Sequence, residues 1–265
     1  MLNLMKYEIR GSTKFISVVV ITLTLLSLFT YLTADVDTVG RTIFLTTLGF
    51  IGGNVAILFY FVSSFSKEVY EDRGYLTLTL PVSGNSIVLS KLIVTIFWYA
   101  VYTLIQLIFV YFILNKYSNL IEQPILTTIL RDVNKFLLTP EFIIVALLGI
   151  LDSIIFVMSV YFSIAISKAA LGVKKIGKFI SFIVFIAITA ATSYIDYLLI
   201  TYLPLNITIN SEALQKNLTF NNVNLDMSTM SEALSINIPS LIFTLILFVA
   251  FLFTTGYILE RKIDL

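Results

Sequence analysis

Phe142-Ile143-Ile144-Val145-Ala146-Leu147-Leu148-Gly149-Ile150-Leu151-Asp152-Ser153-Ile154-Ile155-Phe156-Val157-Met158 carries one ionisable residue, Asp152, in an otherwise apolar run. The apolar stretch around it, Glu141 to Ile166, is long enough to cross a hydrocarbon core of roughly 30 Å, for which about 20 mostly apolar residues suffice. Five further stretches qualify on either side: Phe15 to Leu32, Ile43 to Phe65, Leu92 to Leu114, Phe179 to Leu203, and Ile238 to Leu259. The chain is 58% hydrophobic and 12% charged, with a mean hydropathy of +0.97. Soluble domains are only roughly 45–50% apolar. In lipid a helix satisfies its backbone polar groups within one segment. The sequence therefore predicts an all-α membrane protein of six transmembrane helices, a single domain over residues 1–265.

Proline placement agrees with those boundaries. Pro81, Pro124, Pro140, Pro204 and Pro239 all fall in loops or at span ends, where a missing amide donor is tolerated. Thr139-Pro140-Glu141 supplies a capping residue, a proline at the first helical position and an acid in the first turn, which marks the start of the fourth helix. The first apolar run lacks a small-residue processing site and is expected to stay as a span.

Of the 17 Lys and Arg residues, twelve fall on one side of the alternating spans: Lys6, Arg10, Lys14, Lys67, Arg73, Lys91, Lys168, Lys174, Lys175, Lys178, Arg261 and Lys262. The positive-inside rule places that side, with both termini, in the cytoplasm. Outward loops are then expected at Thr33 to Thr42, Asn115 to Thr139 and Pro204 to Asn237. In residues 1–14, Leu2, Met5 and Ile9 share one helical face and Lys6, Arg10 and Lys14 another, the pattern of an interfacial helix on the inner leaflet.

The chain has no cysteine and no histidine. Disulfides, thiolate catalysis, Cys/His zinc sites and histidine pH switches are excluded, and no catalytic or metal-binding residue is expected. No Gly-x-x-x-x-Gly-Lys-Ser/Thr loop is present, so ATP hydrolysis would need another chain. Gly172-Val173-Lys174-Lys175-Ile176-Gly177-Lys178 has the wrong spacing for such a loop and reads as a basic inner-leaflet anchor.

The loop from Ser66 to Lys91 holds the densest charge cluster: Lys67, Glu68, Glu71, Asp72 and Arg73. It is too polar to insert and too short to be a domain. Tyr75, Leu76, Leu78 and Leu80 offer apolar contacts beside those charges, a composition suited to docking a soluble partner. Here Glu71-Asp72-Arg73-Gly74-Tyr75-Leu76, then Leu80-Pro81-Val82-Ser83, then Ile87-Val88-Leu89-Ser90-Lys91 resemble the cytoplasmic loop of type 2 ABC transporter permeases. Six spans, an amphipathic N-terminus and a long outer loop before the last span are similar to that family across the whole chain. The resemblance implies a bacterial cell-membrane permease that works as a dimer, with a second copy or a related permease. It also implies a nucleotide-binding ATPase partner that carries ATP and Mg and docks at a coupling segment of Glu68, Glu71, Asp72, Arg73, Gly74, Tyr75, Leu76 and Leu80. The permease itself would bind no cofactor, and its other contacts would be membrane lipids, with no nucleic acid. Leu76-Thr77-Leu78-Thr79-Leu80 alternates with period two, a strand pattern, where the resemblance implies a short helix.

Asn54, Gln106 and Asp152 fall near the centres of their spans. Polar groups at that depth either bond between packed helices or line a substrate path, and a carboxylate favours the path. Gly49, Gly52 and Gly53, and separately Ala187, Ala190 and Ala191, mark close helix approach. The resemblance makes the alanine face a candidate dimer seam. The outer loop repeats Ser-Glu-Ala-Leu at Ser211 to Leu214 and Ser231 to Leu234, which suggests two short helices forming a lid. The functional expectation is an ATP-driven exporter of hydrophobic or amphipathic cargo by alternating access, with antimicrobial or toxic peptide export or self-immunity as its role. The alternative is a proton-coupled carrier or channel using Asp152 and Asp196.

Overall fold

Every one of the six apolar stretches is helical in the computed structural model, which describes residues 2–71, 82–120, 140–171, 174–208, 218–220, 223–225 and 235–261. The helices are α1 (Leu2–Leu32), α2 (Val39–Tyr70), α3 (Gly84–Leu120), α4 (Pro140–Leu171), α5 (Lys174–Tyr202) and α6 (Ile238–Arg261). All six are long and apolar enough to cross a membrane, so the chain has a multi-pass architecture. The 32 residues of α2 rise about 48 Å at 1.5 Å each, longer than a hydrocarbon core of roughly 30 Å. Helix ends of that length reach past the apolar layer, and the charged contacts collect there.

The helices alternate in direction, so two sets of ends face each other. At one end Glu8 of α1 meets Lys91 of α3, Glu71 follows α2 and pairs with Lys178 of α5, and Gly84 of α3 abuts Gly256 of α6. At the other, the Lys116 ammonium of α3 donates to the Tyr31 carbonyl of α1, and the Ser240 hydroxyl of α6 donates to Asp196 of α5. Helix α3 is central, touching α1, α2, α4 and α6, whereas α5 packs mainly on α4 and α6 and meets the end of α2 at Tyr70. The larger apolar core joins Phe65, Val88, Tyr161 and Phe251 of α2, α3, α4 and α6, with Phe65 and Tyr161 stacked at 4.2 Å. A second core joins Ile16, Ile57, Phe61, Val94 and Tyr102 of α1, α2 and α3. Outward faces stay apolar, as at Phe59 (66% exposed) and Phe179 (67%), the surface a lipid environment requires.

The interfacial helix expected over residues 1–14 is not a separate element, because α1 runs unbroken from Leu2 to Leu32. No proline interrupts it, and its first turns are held along α3. Ser12 is buried, receiving the Trp98 indole N–H at 2.9 Å while its own hydroxyl donates to the Ile9 carbonyl at 3.0 Å. The cytoplasmic loop expected over residues 66–91 is shorter, since α2 continues to Tyr70 and α3 starts at Gly84. Asp72, Arg73, Gly74, Tyr75, Leu76 and Leu80 lie outside the described residues, as does the period-two stretch. Helix α4 is described from Pro140 onward, and Thr139, the capping residue expected before it, lies outside the described residues.

The described parts of the segment expected to face outward include four short strands. Here β1 (Asn206–Thr208) pairs antiparallel with β4 (Ser235–Asn237), and β2 (Leu218–Phe220) with β3 (Val223–Leu225). Both Ser-Glu-Ala-Leu repeats fall outside the described residues. Asn237 closes the bundle here. Its amide N–H groups donate to the Leu203 carbonyl and the Asn206 side chain, both at 2.9 Å, while its side-chain oxygen accepts the Ser240 N–H at 3.0 Å and so caps α6.

The glycines of α2 divide by face. Gly49 and Gly53 are buried, whereas Gly52 is exposed. A Cβ on Gly53 would overlap the Tyr102 ring and Leu23, and the Tyr102 hydroxyl donates to the Gly49 carbonyl at 2.6 Å. Gly53→Ala must therefore displace Tyr102, for a loss of about 1–3 kcal/mol. Gly52→Ala meets nothing within 4 Å and serves as the matched control. Thermal unfolding in detergent, followed by fluorescence-detected size exclusion, is expected to show a lowered midpoint for Gly53→Ala alone.

Candidate functional site

Two arrangements concentrate the polar chemistry of the described bundle. The first lies where α1, α2 and α3 meet. The Lys91 ammonium sits 2.5 Å from Glu8 and 2.7 Å from Glu68, with its side chain 1% exposed and both carboxylates 18% exposed. One cation between two anions leaves a formal charge of −1. Removing these charges from water is costly unless each is paired, and here each is. Glu68 thus bonds inside the chain, whereas Glu71, one turn on, is surface-exposed and 3.1 Å from Lys178. Next to it, Tyr70 is buried with its hydroxyl 3.0 Å from Ser181. Ser181 already donates to the Gly177 carbonyl, so Tyr70 must be the donor of the pair.

The second arrangement is a cavity of about 790 Å³ between α2, α3 and α4. Its α4 wall is a helical stripe of Phe142, Ala146, Gly149, Asp152, Ser153 and Phe156, and Asn54 of α2 and Thr95, Tyr99 and Thr103 of α3 face it. Phe50 and aliphatic side chains fill the remainder. Most of the polar lining is internally bonded. Asn54 donates to the Phe50 carbonyl at 2.8 Å, Thr95 to the Lys91 carbonyl at 2.7 Å, Ser153 to the Gly149 carbonyl at 2.8 Å, and Tyr99 to the Asn54 carbonyl at 3.2 Å. Asp152 is the one charged residue of the lining, and no hydrogen bond or ion pair holds it among the described residues. Asp196 of α5 is near enough for the two carboxylates to repel.

The structure separates the three polar residues singled out in the spans. Asn54 and Asp152 share the cavity. Gln106 is buried instead between α3 and α1, with its carbonyl 3.3 Å from the Ser27 hydroxyl. Ala187, Ala190 and Ala191 all lie exposed on α5. Sequence reasoning used Lys91 for sidedness and as the end of the resembled loop, gave it no partner, and passed over Glu8. The signal for it was that Glu8 is the sole acid before Asp35, set among basic residues. Among the described residues no group of three or more Asp, Glu, His or Cys is placed to hold a metal ion. Compared with family models, with curated proteins and with solved structures, the chain matches none.

Lys91→Met leaves Glu8 and Glu68 facing each other without a counter-ion, and the expected loss is about 3–5 kcal/mol. The triple change Glu8→Gln, Lys91→Met, Glu68→Gln removes all three charges and is expected to recover much of it. Comparing the two unfolding midpoints in the same detergent checks the assignment; equal losses would show that the charges do not depend on one another.

Proposed function

We propose that this chain is the membrane-spanning subunit of an ATP-driven exporter in a bacterial cell membrane, with both termini in the cytoplasm. The observation that carries the reading is the cavity between α2, α3 and α4, whose apolar wall holds one unpaired carboxylate near the middle of a spanning helix. A charge-capable group at that depth is rarely needed for packing and marks a transport path. The volume lies in the range of small-molecule sites, roughly 300–1,000 Å³. Residues Glu71 to Leu80, with Glu68 anchored on α2, would take the thrust of a partner ATPase carrying ATP and Mg. The Glu8–Lys91–Glu68 cluster would pass it to α1 and α3. Alternating access then opens the path outward. The exposed small residues Ala187, Ala190 and Ala191 leave α5 open to a second permease, identical or related. Peptide export or self-immunity is the role proposed for this path.

A second reading has its own support. Asp152 and Asp196 lie on the packed helices α4 and α5, two acids that a proton-coupled carrier could use.

Tagging the C-terminus and extracting the native complex in mild detergent is expected to recover a chain with a phosphate-binding ATPase loop, lost on Glu71→Lys with Asp72→Lys. Uptake of a fluorescent amphipathic peptide into inside-out vesicles is expected to need ATP and to survive a protonophore. Uptake that needs no ATP and collapses with the protonophore would transfer the assignment to the carrier.

A further inference from the structure

Asp152 gives the cavity a chemical preference that its size alone does not. Thr95, Tyr99 and Ser153 direct their hydroxyls, and Asn54 one of its two amide N–H groups, to backbone carbonyls, which leaves the second Asn54 N–H and the Thr103 hydroxyl as the uncharged donors of the lining. Among the described residues no Lys or Arg lines the cavity, and the one charged group of the lining is the Asp152 carboxylate. Asp196 adds a second negative charge close by. A carboxylate held in an apolar wall is stabilised by any cation that brings its own apolar body, because the pair forms where water is scarce and attraction is weakly screened. Phe142, Phe156 and Tyr99 supply aromatic rings in the same wall, the surface on which cations are further favoured.

We propose that the cavity between α2, α3 and α4 is a binding site for lipophilic cations, with Asp152 as the counter-ion and the aromatic wall receiving the apolar body. This builds on the exporter reading by naming the chemistry of its cargo. Neutral amphiphiles of equal size gain nothing from Asp152, and anions are repelled. The site thus selects on charge sign rather than on shape.

Tetraphenylphosphonium and tetraphenylborate test this, since they share a shape and differ in sign. The detergent-extracted protein, with the subunits that stay with it, is placed in phosphatidylcholine nanodiscs, and binding of each ion is measured against empty nanodiscs. Saturable phosphonium binding is expected, weakened roughly ten-fold or more by Asp152→Asn, with no saturable borate binding. Gly149→Phe provides a second variant that keeps the carboxylate. A Cβ placed on Gly149 meets nothing within 4 Å, so a phenyl group there fills the cavity without a clash at its base. It is expected to abolish phosphonium binding in protein that still elutes as a single species. Equal binding of the two ions, or phosphonium binding unchanged in both variants, would overturn the proposal and make the cavity a lipid-filled crevice. Phosphonium binding by protein that brings no ATPase would leave this inference standing while removing the exporter reading. An ATPase recovered with protein that binds neither ion would do the reverse.

Discussion

The register between α1 and α3 is the constraint on which the remaining packing depends. Between lipid-bathed helices, burying apolar surface brings no gain over contact with acyl chains, so shape and polar contacts must fix how two helices align. Four such contacts run the length of this pair: Lys91 to Glu8, Trp98 to Ser12, Gln106 to Ser27, and Lys116 to the Tyr31 carbonyl. Their sequence separations are 83, 86, 79 and 85, nearly constant, as two parallel helices held in one register demand. Lys91 also binds Glu68, so the same residue aligns α2. Tyr102 then sets α2 at closer range through Gly49 and Gly53.

That frame leaves α4 to do something different. Its C-terminal half packs tightly through Val157, Met158 and Tyr161, all buried in the larger core. One to two turns earlier, Gly149, Asp152 and Ser153 face space instead of side chains. The change occurs within a single helix and follows residue size, since glycine and serine cannot fill the gap that tyrosine and methionine fill further along. Polar residues placed where the helices part remain open to a ligand; polar residues placed where they meet, such as Gln106, serve packing.

The fold was legible because lipid imposes a composition and a length on every span, and each of the six apolar stretches is a helix long enough to cross it. What escaped the sequence was pairing at a distance. Nothing local distinguishes Gln106 from Asn54, since both are amides near the centre of an apolar run, and only the neighbouring helix decides which becomes buried. Glu8 likewise has no local partner, because Lys91 lies 83 residues away. The amphipathic pattern of the first turns suits a helix lying flat and equally one that continues along a neighbour. In the outer segment, abundant asparagine and the absence of a clear period hid strands of three residues each.

Asn237 and its partners carry a consequence for how the chain can change over evolutionary time. Because Asn206 and Asn237 pair across β1 and β4, and Asn237 also holds Leu203 and caps α6, the polypeptide leaves the bundle and returns to it at one clasp. The ends of α5 and α6 are joined by that clasp, so the segment between residues 208 and 235 can drift in length and composition while the membrane-embedded helices keep their register.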